Sequence, residues 1–278
     1  MDKIIKDTSF DEERALYASE NLTLINVRFD GKADGESAIK ECKNITVKDC
    51  YFNLRYPMWH VSGLKIEGGV LTENCRAALW YTDGAVIIGS TLSGIKAVRE
   101  CKGVTLSNCK INSPEFGWFT NDITIENCQI TSEYFLLKSA NINLKNTVFQ
   151  GKYSFQYVQG GVIENCTLNT KDAFWHAKGL HIKNCKVYGE YLGWYSQDLT
   201  FENCEISGTQ PLCYCKNLTL INCSMQGCDL SFEKSEVFAT VTTKIDSIKN
   251  PYGGQISAPA VGEVILDDGL AKAKIIIK

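Results

Sequence analysis

Four charged residues in the first 100 positions could form a site for an anionic ligand. They lie beside the aromatic pair Trp80-Tyr81, and they are Arg76, Asp83, Arg99 and Glu100. All five arginines of the chain fall within its first 99 residues, and guanidinium groups hold carboxylates and phosphates through paired hydrogen bonds. This group would suit a carbohydrate-active enzyme, a polysaccharide lyase or hydrolase. Scattered surface charges are the competing interpretation.

The acidic residues do not follow a known catalytic pattern. Glycosidases need two carboxylates at a set separation, and lyases of elongated β proteins combine a calcium cluster with an Arg or Lys base. Asp267-Asp268 is typical of a polar turn, and Asn169-Thr170-Lys171-Asp172 matches the polygalacturonase pattern only superficially. We therefore predict no catalytic residues and no cofactor, and we favour a protein that is not an enzyme.

Cysteine and histidine could instead bind a metal. Cys213 and Cys215 are close in sequence, but zinc sites usually contain Cys-x-x-Cys pairs. His60, His176 and His181 show no ligand spacing. We predict no metal site and interpret the thirteen cysteines as buried free thiols. Their odd number and the absence of an export signal indicate a reducing cytoplasm.

A 19-residue repeat explains where most of these residues fall. Asn recurs at positions 108, 127, 146, 165, 184, 203 and 222, and Cys follows it in every case but one, where Thr stands. The positions three before and two after each Asn are apolar, and segments such as Asn-Leu-Thr-Leu (217–220) alternate in polarity. Both features favour short strands. Earlier anchors near Val27, Cys50, Gly69 and Ser90 have spacings of 23, 19 and 21, which indicates inserted residues at turns.

Coils this short must stack to bury a core. The repeat therefore predicts an all-β, right-handed parallel β-helix of about eleven coils, a single-strand solenoid. We place the Asn ladder inside a corner and the Cys column at an adjacent tight core site. Residues 1–20 are expected to form an N-terminal cap, 21–235 the repeats, and 236–278 C-terminal capping strands.

All five tryptophans share one register of the coil, ten residues before an anchor. They are Trp59, Trp80, Trp118, Trp175 and Trp194, and Arg99 takes that register in another coil. The next register contains His60, Tyr81, Glu100, His176 and Tyr195. An exposed strip of this kind would bind sugars, peptides or a protein. Ring stacking that only reinforces strand pairing, or a buried Trp column, are the other interpretations.

Composition limits the possible partners. The net charge of −3 argues against an extended nucleic-acid surface, and no apolar run approaches 18 residues, so no membrane span is expected. We predict a cytoplasmic, non-catalytic binding or scaffold protein whose ligand-binding surface is this Trp/Tyr/His face. Carbohydrate or protein is the expected partner.

Several strings resemble a bacterial family labelled domain of unknown function 3737. They are RYPMWH (55–60), SPEFGWF (113–119), GKYSFQY (151–157), KDAFWHAK (171–178) and IDSIKNP (245–251). The resemblance spans nearly the whole chain and implies a right-handed parallel β-helix of bacterial origin. It implies no activity and no catalytic residues.

Overall fold

The chain folds as an all-β parallel solenoid of about 14 turns in the computed structural model, which describes residues 3–278 and contains no helix in that range. The fold class predicted from the repeat is confirmed. The turns outnumber the predicted eleven because residues before 21 and after 235 also contribute paired strands. Right-handed winding and the capping role of both ends stay predictions. The chain divides into two compact units, Met1–Ala140 and Asn141–Lys278.

Each coil of the first unit contributes one strand to a long parallel sheet and one to a second sheet. The long sheet contains β1 (Lys3–Lys6), β3 (Glu20–Ile25), β5 (Lys43–Lys48), β8 (Ser62–Glu67), β11 (Asp83–Ile88), β14 (Lys102–Ser107) and β17 (Asn121–Glu126). The second contains β2 (Ser9–Phe10), β4 (Arg28–Phe29), β6 (Tyr51–Phe52), β9 (Val70–Leu71), β12 (Thr91–Leu92), β15 (Lys110–Asn112) and β18 (Gln129–Ser132). Shorter sheets comprise β7 (Met58–Trp59), β10 (Leu79–Trp80) and β13 (Val98–Arg99), and β16 (Glu115–Phe116) with β19 (Tyr134–Phe135).

The second unit repeats this plan. Its long sheet contains β20 (Ala140–Lys145), β22 (Gln159–Glu164), β24 (Lys178–Lys183), β26 (Thr200–Glu202), β28 (Leu218–Cys223), β29 (Glu236–Val241), β31 (Gly253–Ala258) and β33 (Lys274–Ile277). Its second sheet contains β21 (Val148–Gly151), β23 (Thr167–Asn169), β25 (Lys186–Tyr188) and β27 (Glu205–Ser207). A pair of strands completes it, β30 (Ile245–Lys249) and β32 (Val261–Ile265). No helix able to cross a membrane occurs among residues 3–278.

Strand register follows the sequence repeat. Lys102 pairs with Asn121 and Thr167 with Lys186, each 19 residues on. The longer spacings are real as well: β3 and β5 pair with an offset of 23 and β8 and β11 with an offset of 21. The alternation predicted for these strands is also present. In β17, Ile123 and Ile125 are buried while Thr124 between them is half-buried.

The Asn anchors lie outside the corner, and the prediction that they line its inside is wrong. Asn108, Asn165, Asn184 and Asn203 are exposed and have φ between 51° and 54°. That left-handed conformation strains residues with a bulky Cβ environment, whereas Asn and Gly tolerate it. The expected amide ladder forms on the outer surface, with Asn203 Nδ2 donating to Asn184 Oδ1 at 3.4 Å. The chain's need for a left-handed corner therefore explains the repeated Asn.

The cysteine column is buried as predicted, and all thirteen thiols are free. In the anchor column each Sγ–H donates to the carbonyl two residues earlier, as Cys185 does to Lys183 at 3.1 Å. Small side chains fit here because the corner backbone passes close to the core. These residues therefore have a packing role.

Candidate functional site

The tryptophan column is half-buried throughout, so it is neither an open strip nor part of the core. In four of the five, the indole Nε1 donates a hydrogen bond to a main-chain carbonyl of the following coil. These bonds join Trp59 to Ala77 (3.0 Å), Trp118 to Tyr134 (3.1 Å), Trp175 to Tyr191 (2.6 Å) and Trp194 to Gln210 (2.8 Å). The column therefore ties successive coils together.

The next register forms the outer surface of the same corner, and we call it the corner column. It comprises His60, Tyr81, Glu100, Phe119 and Lys138 in the first unit, and Tyr157, His176, Tyr195 and Tyr214 in the second. Glu100 and Tyr214 are half-buried and the others are exposed, Tyr195 by 49%. Every member has φ between 50° and 61°. Aromatic rings thus occupy positions where backbone strain favours Asn or Gly.

Rings of the corner column stack on one another within each unit. His60 lies 5.0 Å from Tyr81, and His176 lies 4.8 Å from Tyr157 and 5.2 Å from Tyr195. Their planes differ by only 11–17°. Both faces of His176 are therefore covered by neighbours. The column presents ring edges, hydroxyls and imidazole nitrogens to solvent, and the flat platform imagined from the sequence is absent from these stacked rings.

Arg99 replaces tryptophan at its register in the first unit. Its guanidinium lies 5.3 Å from the ring centre of Trp80 and 5.5 Å from those of Trp118 and Phe119, within cation–π range. Its Nε donates to Glu100 Oε1 at 3.1 Å. A hydrogen bond with Glu100 raises the pKa of Tyr81 above its usual value. Arg99 is thus held rigidly between aromatic rings and a carboxylate.

The charged group expected from the sequence is only partly brought together. Arg76 and Arg99 line one small pocket beside Trp80. Glu100 contacts Arg99 from outside that lining, and Asp83 lies exposed at the start of β11, also outside it. The pocket itself has a volume of about 170 Å³ and is lined by Tyr56, Arg76, Ala77, Trp80, Ile95, Lys96 and Arg99. We call it the arginine pocket.

A second, larger pocket was missed by the sequence reasoning. Its volume is about 300 Å³, and it is lined by Asp30, Gly31, Asp34, Asn53, Leu54, Arg55, Glu73, Asn74 and Arg76. Arg76 therefore borders both pockets. We call this one the polar pocket, since most of its lining side chains are carboxylates, amides or guanidiniums.

Hydrogen bonds organise the polar pocket. Asn53 Nδ2 donates to Asp30 Oδ1 at 2.8 Å, and Asn74 Nδ2 donates to Asn53 Oδ1 at 3.1 Å. The bond from Asn53 holds the pKa of Asp30 below its usual value, and Arg28 acts in the same direction. Arg55 pairs with Asp34 at 3.3 Å, while its buried Nε has no hydrogen-bond partner within residues 3–278.

One signal in the sequence could have located the polar pocket. The coils with spacings of 23 and 21 contain the extra residues, and the loops around Asp34 and Glu73 belong to those coils. Insertions in a repeat protein map to surface loops that often form its binding face. The two irregular coils therefore mark the site better than any residue motif does.

The histidines have structural contacts. His60 and His176 stack in the corner column, and His181 Nε2 lies 2.9 Å from Glu202 Oε2. Among residues 3–278, no group of three or more His, Cys, Asp or Glu side chains is arranged to hold a metal ion.

The family model for proteins of unknown function labelled DUF3737 matches residues 3–278. The chain belongs to the DUF3737 family. The resemblance carried by the strings quoted above is thereby confirmed over nearly the whole chain. None of the curated proteins compared with this family member matches it.

Solved structures similar to this DUF3737 chain are distant. PfbA, a surface adhesin of Streptococcus pneumoniae, is 8% identical, with a TM-score of 0.41 over 87% of this chain and 83% of its own. HetL, a pentapeptide repeat protein of the cyanobacterium Nostoc, is 9% identical, with a TM-score of 0.23 over 83% and 86%. The catalytic domain of a GH87 alpha-1,3-glucanase is 11% identical, with a TM-score of 0.24 over 99% and 61%.

Proposed function

We propose that this chain is a non-catalytic binding protein that recognises a carbohydrate polymer through the corner column. The observation that carries the proposal is the presence of exposed aromatic and histidine side chains at a left-handed corner. A bulky residue in that conformation costs about 1–2 kcal/mol, and the anchor corner of the same chain uses Asn and Gly there. Stability alone would favour Asn or Gly at both corners.

The exposed chemistry suits a polymer with regularly spaced hydroxyl groups. Successive coils present Tyr157, His176 and Tyr195 at ring separations of about 5 Å, and their polar atoms can each donate or accept a hydrogen bond. A row of such groups matches a linear polysaccharide better than a compact small molecule. Ligand recognition by protein surfaces also gains from preorganisation, which the stacked rings supply.

Stacking itself stabilises the fold by about 0.5–1.5 kcal/mol per pair, so the test must separate binding from stacking. Tyr195→Phe and His176→Phe keep a ring in the stack and remove only the polar atoms. Tyr188→Phe is a matched control, since its hydroxyl bonds Glu205 away from the corner column.

Affinity electrophoresis in gels containing different polysaccharides provides the measurement. We expect at least one polysaccharide to retard the wild-type protein, and both corner variants to lose about tenfold in affinity while Tyr188→Phe does not. The thermal midpoints of the corner variants should stay close to that of the wild type. Unchanged retardation of the corner variants, or no retardation by any polysaccharide, contradicts the proposal.

A carbohydrate-active enzyme is the second candidate, because the polar pocket places Asp30, Asp34 and Glu73 around Arg55 and Arg76. The low pKa of Asp30 favours an ionised base over the protonated acid that glycoside hydrolysis requires. Arg76 is shared with the charged group Arg76, Asp83, Arg99 and Glu100 on which the sequence hypothesis rests. Incubation with oligosaccharides distinguishes the candidates: cleavage that Glu73→Gln abolishes would establish an enzyme.

We also propose a cytoplasmic location. Thirteen free, buried thiols are the support for it, because an oxidising compartment selects against so many unpaired cysteines.

A further inference from the structure

Trp80 departs from the hydrogen bonding of its column. The other tryptophans bond a carbonyl 16 residues on where the coil has 19 residues, and this spacing points from Trp80 to Lys96. The Nε1 of Trp80 is buried and makes no hydrogen bond within residues 3–278. It lies near the Tyr81 hydroxyl, and that proximity lowers the pKa of Tyr81 slightly against the stronger effect of Glu100.

The orientation of the Trp80 ring explains the missing bond. Its plane lies 19° from that of Tyr81, so the two rings stack. Trp118 and Trp194 instead meet the next residue edge-on, at 84° and 80°. The Trp80 indole is therefore turned away from the Lys96 carbonyl, and the arginine pocket lies between Trp80 and Lys96.

The charges around the arginine pocket do not cancel. Lys96 pairs with Glu115 at 3.5 Å and Arg99 with Glu100 at 3.1 Å. Arg76 is exposed and has no ion pair among residues 3–278. None of the seven lining residues is acidic. The pocket therefore presents three cationic side chains with only two carboxylate partners.

We propose that the arginine pocket binds the anionic group of a small sugar, a sugar phosphate or a uronate. Arg76 supplies the uncompensated charge and the paired N–H donors that match a phosphate or carboxylate. Arg99 is already fixed by its aromatic neighbours, so little side-chain entropy is lost on binding. Trp80 and Tyr56 form apolar walls for the adjoining ring.

The size of the pocket supports a ligand of this scale. A volume of about 170 Å³ corresponds to roughly five or six water molecules. That space holds an anionic group and part of a sugar ring. The polar pocket, which Arg76 also borders, offers Asn53, Asn74 and carboxylates to the hydroxyls of the same ligand.

Nuclear magnetic resonance of the ¹⁵N-labelled full chain tests this inference, because five tryptophans give five indole N–H signals. Trp80→Phe assigns the Trp80 signal. We expect glucose 6-phosphate or glucuronate to shift it in a saturable manner, and neutral glucose to leave it unchanged. The stronger of the two anions identifies the source of the charge. Inorganic phosphate alone should bind more weakly than the sugar phosphate.

Arg76→Ala should weaken binding at least tenfold. Its matched control is Arg14→Ala, which removes another exposed arginine of the first unit, one that pairs with Glu13 and lies over Tyr17. Absence of a Trp80 shift with both anions, equal shifts with glucose, or unchanged affinity of Arg76→Ala would overturn the inference. The corner-column test uses neutral polymers and Tyr195, so its failure is distinguishable from failure here.

Discussion

The indole Nε1 of Trp175 donates a hydrogen bond of 2.6 Å to the carbonyl of Tyr191, and the same ring stacks on Trp194 at 5.4 Å with an interplanar angle of 5°. One side chain thus bonds the main chain of the next coil and contacts the equivalent side chain there. This double link explains why tryptophan recurs at a half-buried register that the core does not require.

The hydrogen bond at this register should have a measurable contribution to stability. Trp175→Phe removes it and leaves a carbonyl without its donor, whereas Trp80→Phe removes no such bond. We expect Trp175→Phe to be less stable than Trp80→Phe by about 1 kcal/mol. Urea unfolding followed by circular dichroism gives both values. Equal losses would show that these indoles act through packing alone.

The left-handed corner predicts an unusual preference for glycine over alanine. Asn203 has φ of 51°, so Asn203→Ala should be less stable than Asn203→Gly by about 1 kcal/mol. The order should reverse at Thr200, which lies in strand β26, because glycine weakens a strand. Chemical denaturation of the four variants measures this, and alanine equal to or better than glycine at position 203 contradicts the assigned role.

Asp172 should make stability depend on pH. Burial raises the pKa of this carboxyl, Lys171 opposes the shift, and Glu190 adds to it. A carboxyl with a pKa higher in the folded than in the unfolded state destabilises the fold when ionised, and this cost disappears as pH falls through the folded pKa.

Asp172→Asn should therefore raise the melting temperature at pH 7, and its advantage should vanish near pH 3. Asn also tolerates the left-handed φ of 52° at this position. Differential scanning calorimetry across this pH range is the measurement. A variant less stable than the wild type at pH 7 would show that the carboxylate has a stabilising contact.

The thiols should be unreactive while the chain is folded. Burial raises the pKa of Cys75, Cys213 and Cys228 to about 12 and that of Cys101 and Cys215 to about 11. Since the thiolate is the reactive form, these groups stay protonated at pH 8. Ellman's reagent should label no thiol of the native protein and all thirteen in denaturant. Rapid labelling of the native chain would contradict this placement.

Periodicity predicted the fold and the shared register of the tryptophans, because parallel pairing places residues one repeat apart directly on each other. It did not predict which side of a corner the Asn residues face, since that depends on backbone φ. The polar pocket escaped prediction for a related reason. Asp30, Asn53 and Glu73 come from different coils, two of them with inserted residues, and share no spacing.

The sequence by itself determined the repeat, the parallel solenoid, the buried cysteines and the columns, since each follows from the alternation and spacing of side chains along a stacked strand. Only the tertiary structure decided that the tryptophans bond carbonyls of the next coil, that the corner rings present their edges, and that Trp80 turns to leave an arginine-lined pocket. These features depend on side-chain rotation and loop conformation, which a one-dimensional pattern does not encode.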